Sequence, residues 1–244
     1  MDYKDFQAGA IQESFWFKAK AQFIEVLLKK LNHTQNLKIL DIGAGTGEDI
    51  ASIKKFGQVH ALDIDQKTLD LIPDYLVVEK KIGDACNLPY ENQSFDLVVA
   101  FDVLEHIEQD QKVITEIHRV LKPNGHFAFT VPAYNTLYSN RDTILGHQRR
   151  YNKTHIQKLL KDFKKQTLGS WFFFLFLPAA FFLILPKKTQ KKLTYDSGPS
   201  SFHQFPKILN DIFYTLLRCE NWLISKRIKF PFGLTIYGIY KKER

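Results

Sequence analysis

The stretch Lys38–Ile50, KILDIGAGTGEDI, decides the fold. An apolar strand signal, LKILDI, runs straight into Gly43, Gly45 and Gly47 and from there into a helical signal spanning about Thr46 to Lys55. Glycine at such a turn lets a ligand lie against bare backbone, so strand, glycines and helix together read as the nucleoside- or phosphate-binding turn of a Rossmann-like sheet. A dinucleotide fingerprint would need glycine at position 48, where Glu48 stands, followed by Asp49. Two carboxylates at a helix start repel a diphosphate, which disfavours NAD and FAD. A phosphate-free ligand with a cationic amino-acid end fits better, and Asp41, at the strand's carboxyl end, is placed to meet an ammonium group.

Outward from this turn, helix and strand signals alternate. A helix from Ser14 to Leu31 comes first, with apolar Phe17, Ala21, Ile24, Leu28 and Leu31 at helical spacing. After the turn, VHALDI forms a second strand, a short helix lies near Gln66–Leu71, and YLVVEKKIGDA is a third strand. The unbroken apolar centre of SFDLVVAFDVL suits a fourth, parallel strand buried on both faces. A helix then carries Val113, Ile114, Ile117, Val120 and Leu121 on its apolar face. It closes at the breaker KPNG, and HFAFTVP is the fifth strand. This alternation predicts an α/β chain with a doubly wound parallel sheet. Beyond it come a long polar loop, AYNTLYSNRDTILGHQRRYNK, and a helix capped by Thr154 with Gln157 and running to about Phe163. An aromatic run from Trp171 to Leu185, a polar linker, an amphipathic helix over about Lys207–Arg227 and a closing strand FGLTIYGIYKK complete the chain.

Two further acids follow strands. Asp63 ends strand two, where a carboxylate can accept from both hydroxyls of a ribose, a demand that several nucleoside cofactors share. Asp84 follows strand three, placed to accept from an adenine amino group, with Ala85 flanking the ring.

Composition narrows the class. With 244 residues, 45% of them apolar, the chain can bury one full core. Cys86 and Cys219 lie far apart without a CxxC or His/Cys cluster, so neither a disulfide framework nor a zinc site is indicated, and no metal is expected. The acids in MDYKDFQAGA do not suit a signal peptide, so a cytoplasmic location is expected. Residues 1–139 hold 14 Lys/Arg against 20 Asp/Glu, whereas residues 140–244 hold 20 against 6. The basic part could meet phosphates, nucleic acid or an anionic membrane surface, or simply form a solvated Lys-rich face.

The ordered set LDIGAGTGED, HALDID, GDACNLPYENQSFDLVVAFDVLEHI and RVLKPNGHFAFTVP resembles class I S-adenosylmethionine-dependent methyltransferases, especially the methyltransferase type 11 and quinone-biosynthesis methyltransferase-like group. The resemblance covers roughly residues 36–132. It implies a Rossmann-like, doubly wound seven-stranded sheet, mostly parallel with an antiparallel last strand. It also implies S-adenosylmethionine as cofactor, with contacts at Asp41, Gly43, Ala44, Gly45, Gly47, Asp63, Ile64, Asp84, Ala85 and Phe101. SFWFKAK would belong to an amino-terminal helix covering the pocket. The layout expected is a cap at 1–35, a methyltransferase core at 36–170, a hydrophobic and basic helical insertion at 171–228 and a closing core strand at 229–244. The acceptor would be a small molecule or lipid-linked group. A nucleic-acid methyltransferase is disfavoured, since no Asn-Pro-Pro-Tyr-like motif is present. A non-catalytic cofactor-binding protein is the remaining alternative.

A sulfonium methyl group is already electrophilic, so orientation carries much of the catalysis, but an oxygen nucleophile still benefits from a base of near-neutral pKa. His106, after strand four, and His147, in the long loop, are the candidates. In LGHQRRY, Arg149 and Arg150 read as substrate contacts with Tyr151 as a wall; the competing reading is a loop anchored to the acidic unit by its arginines. Asp65, Asp102 and Glu105 read as local structural acids, and the Tyr237-x-x-x-Lys241 spacing, on a terminal strand, is discounted.

The run from Trp171 to Leu185 is too short to span a bilayer as a helix, which takes about 20 residues. One reading makes SWFFFLFL strand six and the remainder a core helix. The other dips the run into one leaflet, assisted by Lys187, Lys188, Lys191 and Lys192, as a peripheral or monotopic contact. The two can hold together.

Overall fold

A computed structural model describes residues 14–31, 36–184 and 206–243. Seven strands form one sheet: β1 (Leu37–Ile42), β2 (Gly57–Asp63), β3 (Glu79–Ile82), β4 (Phe95–Phe101), β5 (Leu121–Pro132), β6 (Phe163–Trp171) and β7 (Thr235–Lys242). Their spatial order is β3-β2-β1-β4-β5-β7-β6. Only β7 runs antiparallel, inserted between β5 and β6. The chain leaves β1 for β2 on one side and β4 pairs with β1 on the other, so the order reverses at β1/β4, where a doubly wound sheet opens its ligand crevice at the strands' carboxyl ends.

Alternation along the central strands explains the two-sided core. Ile39, Leu97 and Val99 face one layer, built with α1 (Phe15–Leu28), α2 (Ile50–Ile53) and α8 (Lys207–Ser225). Leu40, Ile42, Val98 and Ala100 face the other, with α4 (Asp110–Val120) and α6 (Lys153–Leu159). Both faces of the central strands are covered, which explains the unbroken apolar centre of β4 at residues 97–100. Three short helices complete the order: α3 (Gln66–Leu69), α5 (Asn140–Ile144) and α7 (Phe176–Ile184).

The amino-terminal helix begins where expected, with the Ser14 hydroxyl accepting from Trp16 N–H. Its buried stripe is Ala19, Phe23, Ile24, Leu27 and Leu28, turned from the predicted one, because Phe23 stacks on Trp171 at 4.4 Å. It pairs with α8, whose buried Asn221 donates to Ala19 O at 3.0 Å and whose Asn210 accepts from Phe15 N–H at 2.9 Å.

Several boundaries differ from the sequence reading, each for a local reason. The helix after the glycines starts at Ile50, not Thr46, because Gly43, Gly45 and Gly47 all take positive φ (69°, 53° and 86°) and the chain turns through them. Strand three is confined to Glu79–Ile82, with a 3₁₀ turn at Asp74–Leu76 after Pro73. Asn152, not Thr154, caps α6, accepting from His155 N–H at 2.8 Å. Strand six is FKKQTLGSW rather than SWFFFLFL: Trp171 pairs with Thr235 at the start of β7, and Phe172, at φ 70°, ends the strand. The following residues form α7, with Pro178 tolerated in its first turn. That helix joins the core only in part: Ala180 is buried, whereas Leu177 and Phe181 are 73% and 71% exposed. Lys187, Lys188, Lys191 and Lys192 lie outside the described residues. Among the described residues, no helix is long and apolar enough to cross a membrane.

Candidate active site

The glycine turn is pinned to its neighbouring strand, with Gly43 and Ala44 N–H donating to Leu62 O at 2.8 and 3.0 Å. Asp63 then holds the turn from the end of β2: its Oδ2 accepts from Gly45 N–H at 2.8 Å and its Oδ1 from Asp65 N–H at 3.0 Å. Each carboxylate oxygen keeps a further lone pair for a ligand hydroxyl. A Cβ on Gly43 would lie 2.5 Å from Val103 Cγ2, so a side chain there would press on the loop after β4.

Carboxylates crowd this crevice. Asp41 is 4% exposed, and burial, followed by the neighbouring Asp49, raises its pKa well above the ordinary range against the opposing pull of Lys20. Lys20 reaches in from α1, its Nζ 2.9 Å from both Asp49 Oδ2 and Asp102 Oδ2. Burial alone would lower the Lys20 pKa, but the two carboxylates outweigh it and raise it. Asp102 sits at φ 57° and accepts from Thr130 Oγ1 at 2.9 Å; burial opposes its ionisation, yet Lys20 brings its pKa below normal. One ammonium thus pairs with two partly buried acids while the buried Asp41 stands beside them, an arrangement complementary to a cationic ligand.

The remaining predicted contacts border the same strand ends. Gly83 N–H donates to Asp63 O at 3.0 Å, which brings the segment carrying Asp84 beside β2. Asp84 is exposed and uses one oxygen to accept from Cys86 N–H at 2.8 Å. Ala44, Ala85 and Phe101 are buried at the ends of their segments, whereas Ile64 is 77% exposed, an apolar surface next to Asp63.

Above β4 the two candidate histidines meet, with ring centroids 4.7 Å apart and an interplanar angle of 84°. Lost hydration and the adjacent His147 draw the His106 pKa down to about 4, an effect partly screened because much of that residue still faces solvent. Glu105, beneath them, is 1% exposed, and its Oε2 has no hydrogen-bond partner among the described residues. Burial and then Asp102 raise the Glu105 pKa well above normal. Glu105, His106 and His147 offer one ligand atom each within 4.8 Å of one another, so among the described residues these three could hold a metal ion, a grouping the cysteine count did not address.

The basic residues after His147 are spent inside the protein. Arg149 pairs with Asp110 at 2.9 Å and donates to Glu108 O at 2.8 Å. Arg150 donates from Nε and Nη2 to Asp142 at 2.8 and 3.0 Å. Tyr151 is fully buried, its hydroxyl 3.1 Å from Leu104 O and 3.0 Å from Asp110 Oδ2. These bonds are the ones the anchoring reading of Arg149, Arg150 and Tyr151 expects, with guanidinium forks and a buried phenol fixing the loop. Asp65 caps α3 by accepting from Lys67 N–H at 2.9 Å. The sequence reading missed Lys20 and Asp142. Ser139 and Asp142 form a capping box whose S-x-x-D spacing was visible, whereas nothing local marks Lys20.

Residues 40–129 match the family model described as a methyltransferase domain. A probable S-adenosylmethionine-dependent methyltransferase of Mycolicibacterium smegmatis is 31% identical over 160 residues, 63% of this chain and 60% of the relative. The demethylmenaquinone methyltransferase of Lactobacillus johnsonii is 37% identical over 108 residues, 40% of this chain and 44% of the relative. The chain thus spans about half the length of these curated relatives. The crystal structure of a putative methyltransferase from Bacillus halodurans superposes with a TM-score of 0.62 at 19% identity, covering 91% of this chain and 99% of that one, a likeness of fold.

Proposed function

We propose that this chain, which carries a domain of the class I S-adenosylmethionine-dependent methyltransferase type over residues 40–129, transfers a methyl group to a hydroxyl on a small or lipid-linked acceptor. The observation that carries the reading is the crevice at the ends of β1, β2 and β4, where Asp41, Asp49 and Asp102 outnumber Lys20 and the glycine turn is tied to Asp63. Such a site suits a sulfonium nucleoside with an ammonium end and repels a diphosphate. Asp63 would accept from the ribose hydroxyls, Asp84 from the adenine amino group, and Asp41 would face the ammonium. Bound there, S-adenosylmethionine supplies an electrophilic methyl group, its sulfur keeping the bonding pair as the methyl leaves. The chain's own residues orient the acceptor and take its proton, for which His147 is the candidate base.

Exposed apolar side chains support acceptor delivery from a membrane surface. Leu177 and Phe181 on α7 and Ile208 and Ile212 on α8 face outward. Phe176 of α7 packs 5.9 Å from Tyr134, at the root of the loop that carries His147. Partly inserted helices of this kind bind anionic lipid through apolar area and nearby basic charge.

Thermal stabilisation by S-adenosylmethionine and S-adenosylhomocysteine, compared with NAD, tests the donor. Both nucleosides should raise the melting temperature and NAD should not; stabilisation by NAD alone overturns the reading. Flotation with anionic vesicles tests the surface: the Leu177→Ser, Phe181→Ser double variant should float less than wild type while keeping its response to S-adenosylmethionine. Equal flotation removes the membrane component.

A further inference from the structure

His147 is held to its own loop through one ring nitrogen. Nδ1 lies 2.8 Å from Asp142 Oδ1, and Asp142 is fully buried. The same carboxylate accepts from Ser139 N–H at 2.8 Å, Ser139 Oγ at 3.1 Å, Arg150 Nε at 2.8 Å and Arg150 Nη2 at 3.0 Å. The backbone fixes the ring from the other side, with His147 N–H donating to Asp142 O at 2.8 Å and the Tyr138 hydroxyl donating to His147 O at 2.6 Å.

We propose that Asp142 is a positioning residue that, clamped by Arg150 and Ser139, fixes His147 as the Nδ1–H tautomer and so leaves Nε2 as the proton acceptor for the methyl acceptor's hydroxyl. The inference rests on the methyl-transfer reading above and adds the element that would make His147 competent as its base. An ionised carboxylate only accepts, so the imidazole nitrogen facing it carries the hydrogen, and the lone pair is on the other nitrogen. In the transfer step the acceptor oxygen bonds to the methyl carbon as the sulfur–methyl bond breaks toward sulfur. The hydroxyl proton passes to Nε2, and the imidazolium so formed stays paired with Asp142. The other titratable and charged groups at this ring are His106, Glu105 and Asp102 with its partner Lys20. Arg150 acts on the base through Asp142, to which its guanidinium is paired.

The substitution Asp142→Asn turns this geometry into a prediction. On the Oδ2 side, Ser139 N–H and Arg150 Nη2 must donate; on the Oδ1 side only Arg150 Nε must, because His147 can change tautomer. The amide nitrogen therefore settles toward His147, which accepts at Nδ1 and moves its hydrogen to Nε2. A swap of this kind leaves geometry in place and removes the base, as documented for the aspartate of serine-protease triads.

The experiment is long-range ¹H–¹⁵N correlation spectroscopy of ¹⁵N-histidine-labelled full-length chain, with His147 assigned by its loss in His147→Gln. Wild type should show the Nδ1–H tautomer and Asp142→Asn the Nε2–H tautomer. With any hydroxyl acceptor that wild type methylates, kcat should fall by about 10² to 10⁴ while S-adenosylmethionine still stabilises the variant. An Nε2–H tautomer in wild type overturns the inference without touching the methyltransferase reading, and this measurement does not depend on the variant folding. Retained Nδ1–H in Asp142→Asn with undiminished kcat overturns it as well. A wild type that S-adenosylmethionine does not stabilise defeats the methyltransferase reading instead, whatever the tautomer.

Discussion

Replacing Asp63 by alanine separates two tasks that one carboxylate performs. In the free chain its oxygens accept from Gly45 N–H at 2.8 Å and Asp65 N–H at 3.0 Å, so the substitution loosens the glycine turn before any ligand arrives. Two partly exposed hydrogen bonds at a net of about 0.5–1.5 kcal/mol each give an expected stability loss of about 1–3 kcal/mol. In the complex the same carboxylate would also accept from two ribose hydroxyls. Bonds to a charged group contribute about 1.5 kcal/mol or more each, so affinity should fall by about 3 kcal/mol, roughly 150-fold. With S-adenosylmethionine at 100 times the wild-type Kd, wild type gains about 2.7 kcal/mol and the variant about 0.3 kcal/mol. At about 2–4 °C per kcal/mol for a chain of this size, the melting shift should shrink from about 5–11 °C to about 1 °C. Differential scanning fluorimetry with and without the nucleoside reads both effects. A lowered unliganded melting temperature with an undiminished shift would leave Asp63 as a strut for the turn and refute its assignment to the ribose.

Glu105 gives a pH signature. Burial raises its folded-state pKa above the ordinary 4.5, so the folded chain holds a proton that the unfolded chain releases. Its stabilising effect is complete below the unfolded value and declines as pH rises toward the folded one; denaturant midpoints measured from pH 5 upward should fall less steeply in Glu105→Gln, and parallel profiles would contradict this. Lys20→Met leaves the partly buried Asp49 and Asp102 without their cation and should cost about 1–3 kcal/mol in urea unfolding, which an unchanged midpoint would refute. Gly169→Ala places a Cβ 2.4 Å from the ring of the fully buried Tyr237, which Phe23 packs at 5.1 Å; overpacking should cost about 1–3 kcal/mol, and wild-type thermal stability would show that the ring can move aside.

The parts of the fold that the sequence revealed are those dominated by local pattern. LKILDI is β1 to the residue, because its apolar Ile39, Leu40 and Ile42 are buried on the sheet and its end is marked by glycines. Strand six was displaced for the complementary reason. As an edge strand it carries Lys164, Lys165 and Gln166 on solvent-facing positions, a charged disguise typical of edges, while the greasier SWFFFLFL beside it offered the more strand-like composition. The predicted acids do lie where their strands end, since their position follows from strand boundaries alone. The partnerships that tune them were hidden: Lys20 meets Asp102 only after the amino-terminal helix docks across the sheet, and Arg150 meets the buried Asp142 only once its loop is folded. His106 and His147, 41 positions apart, become neighbours because Gln148 N–H bonds Glu105 O at 2.7 Å and ties the loop over β4.

The insertion of β7 between β5 and β6 has a consequence for how the chain is made. During synthesis, β6 emerges well before Thr235–Lys242 and finds no neighbour in the sheet, while the outer side of β5 is likewise left bare. Two rows of unsatisfied amides and carbonyls await one late-arriving segment, an invitation to mispairing between nascent copies. A ribosome stalled within the preceding helix would release a product that is sticky rather than merely incomplete, which makes Thr235–Lys242 the clasp of the sheet.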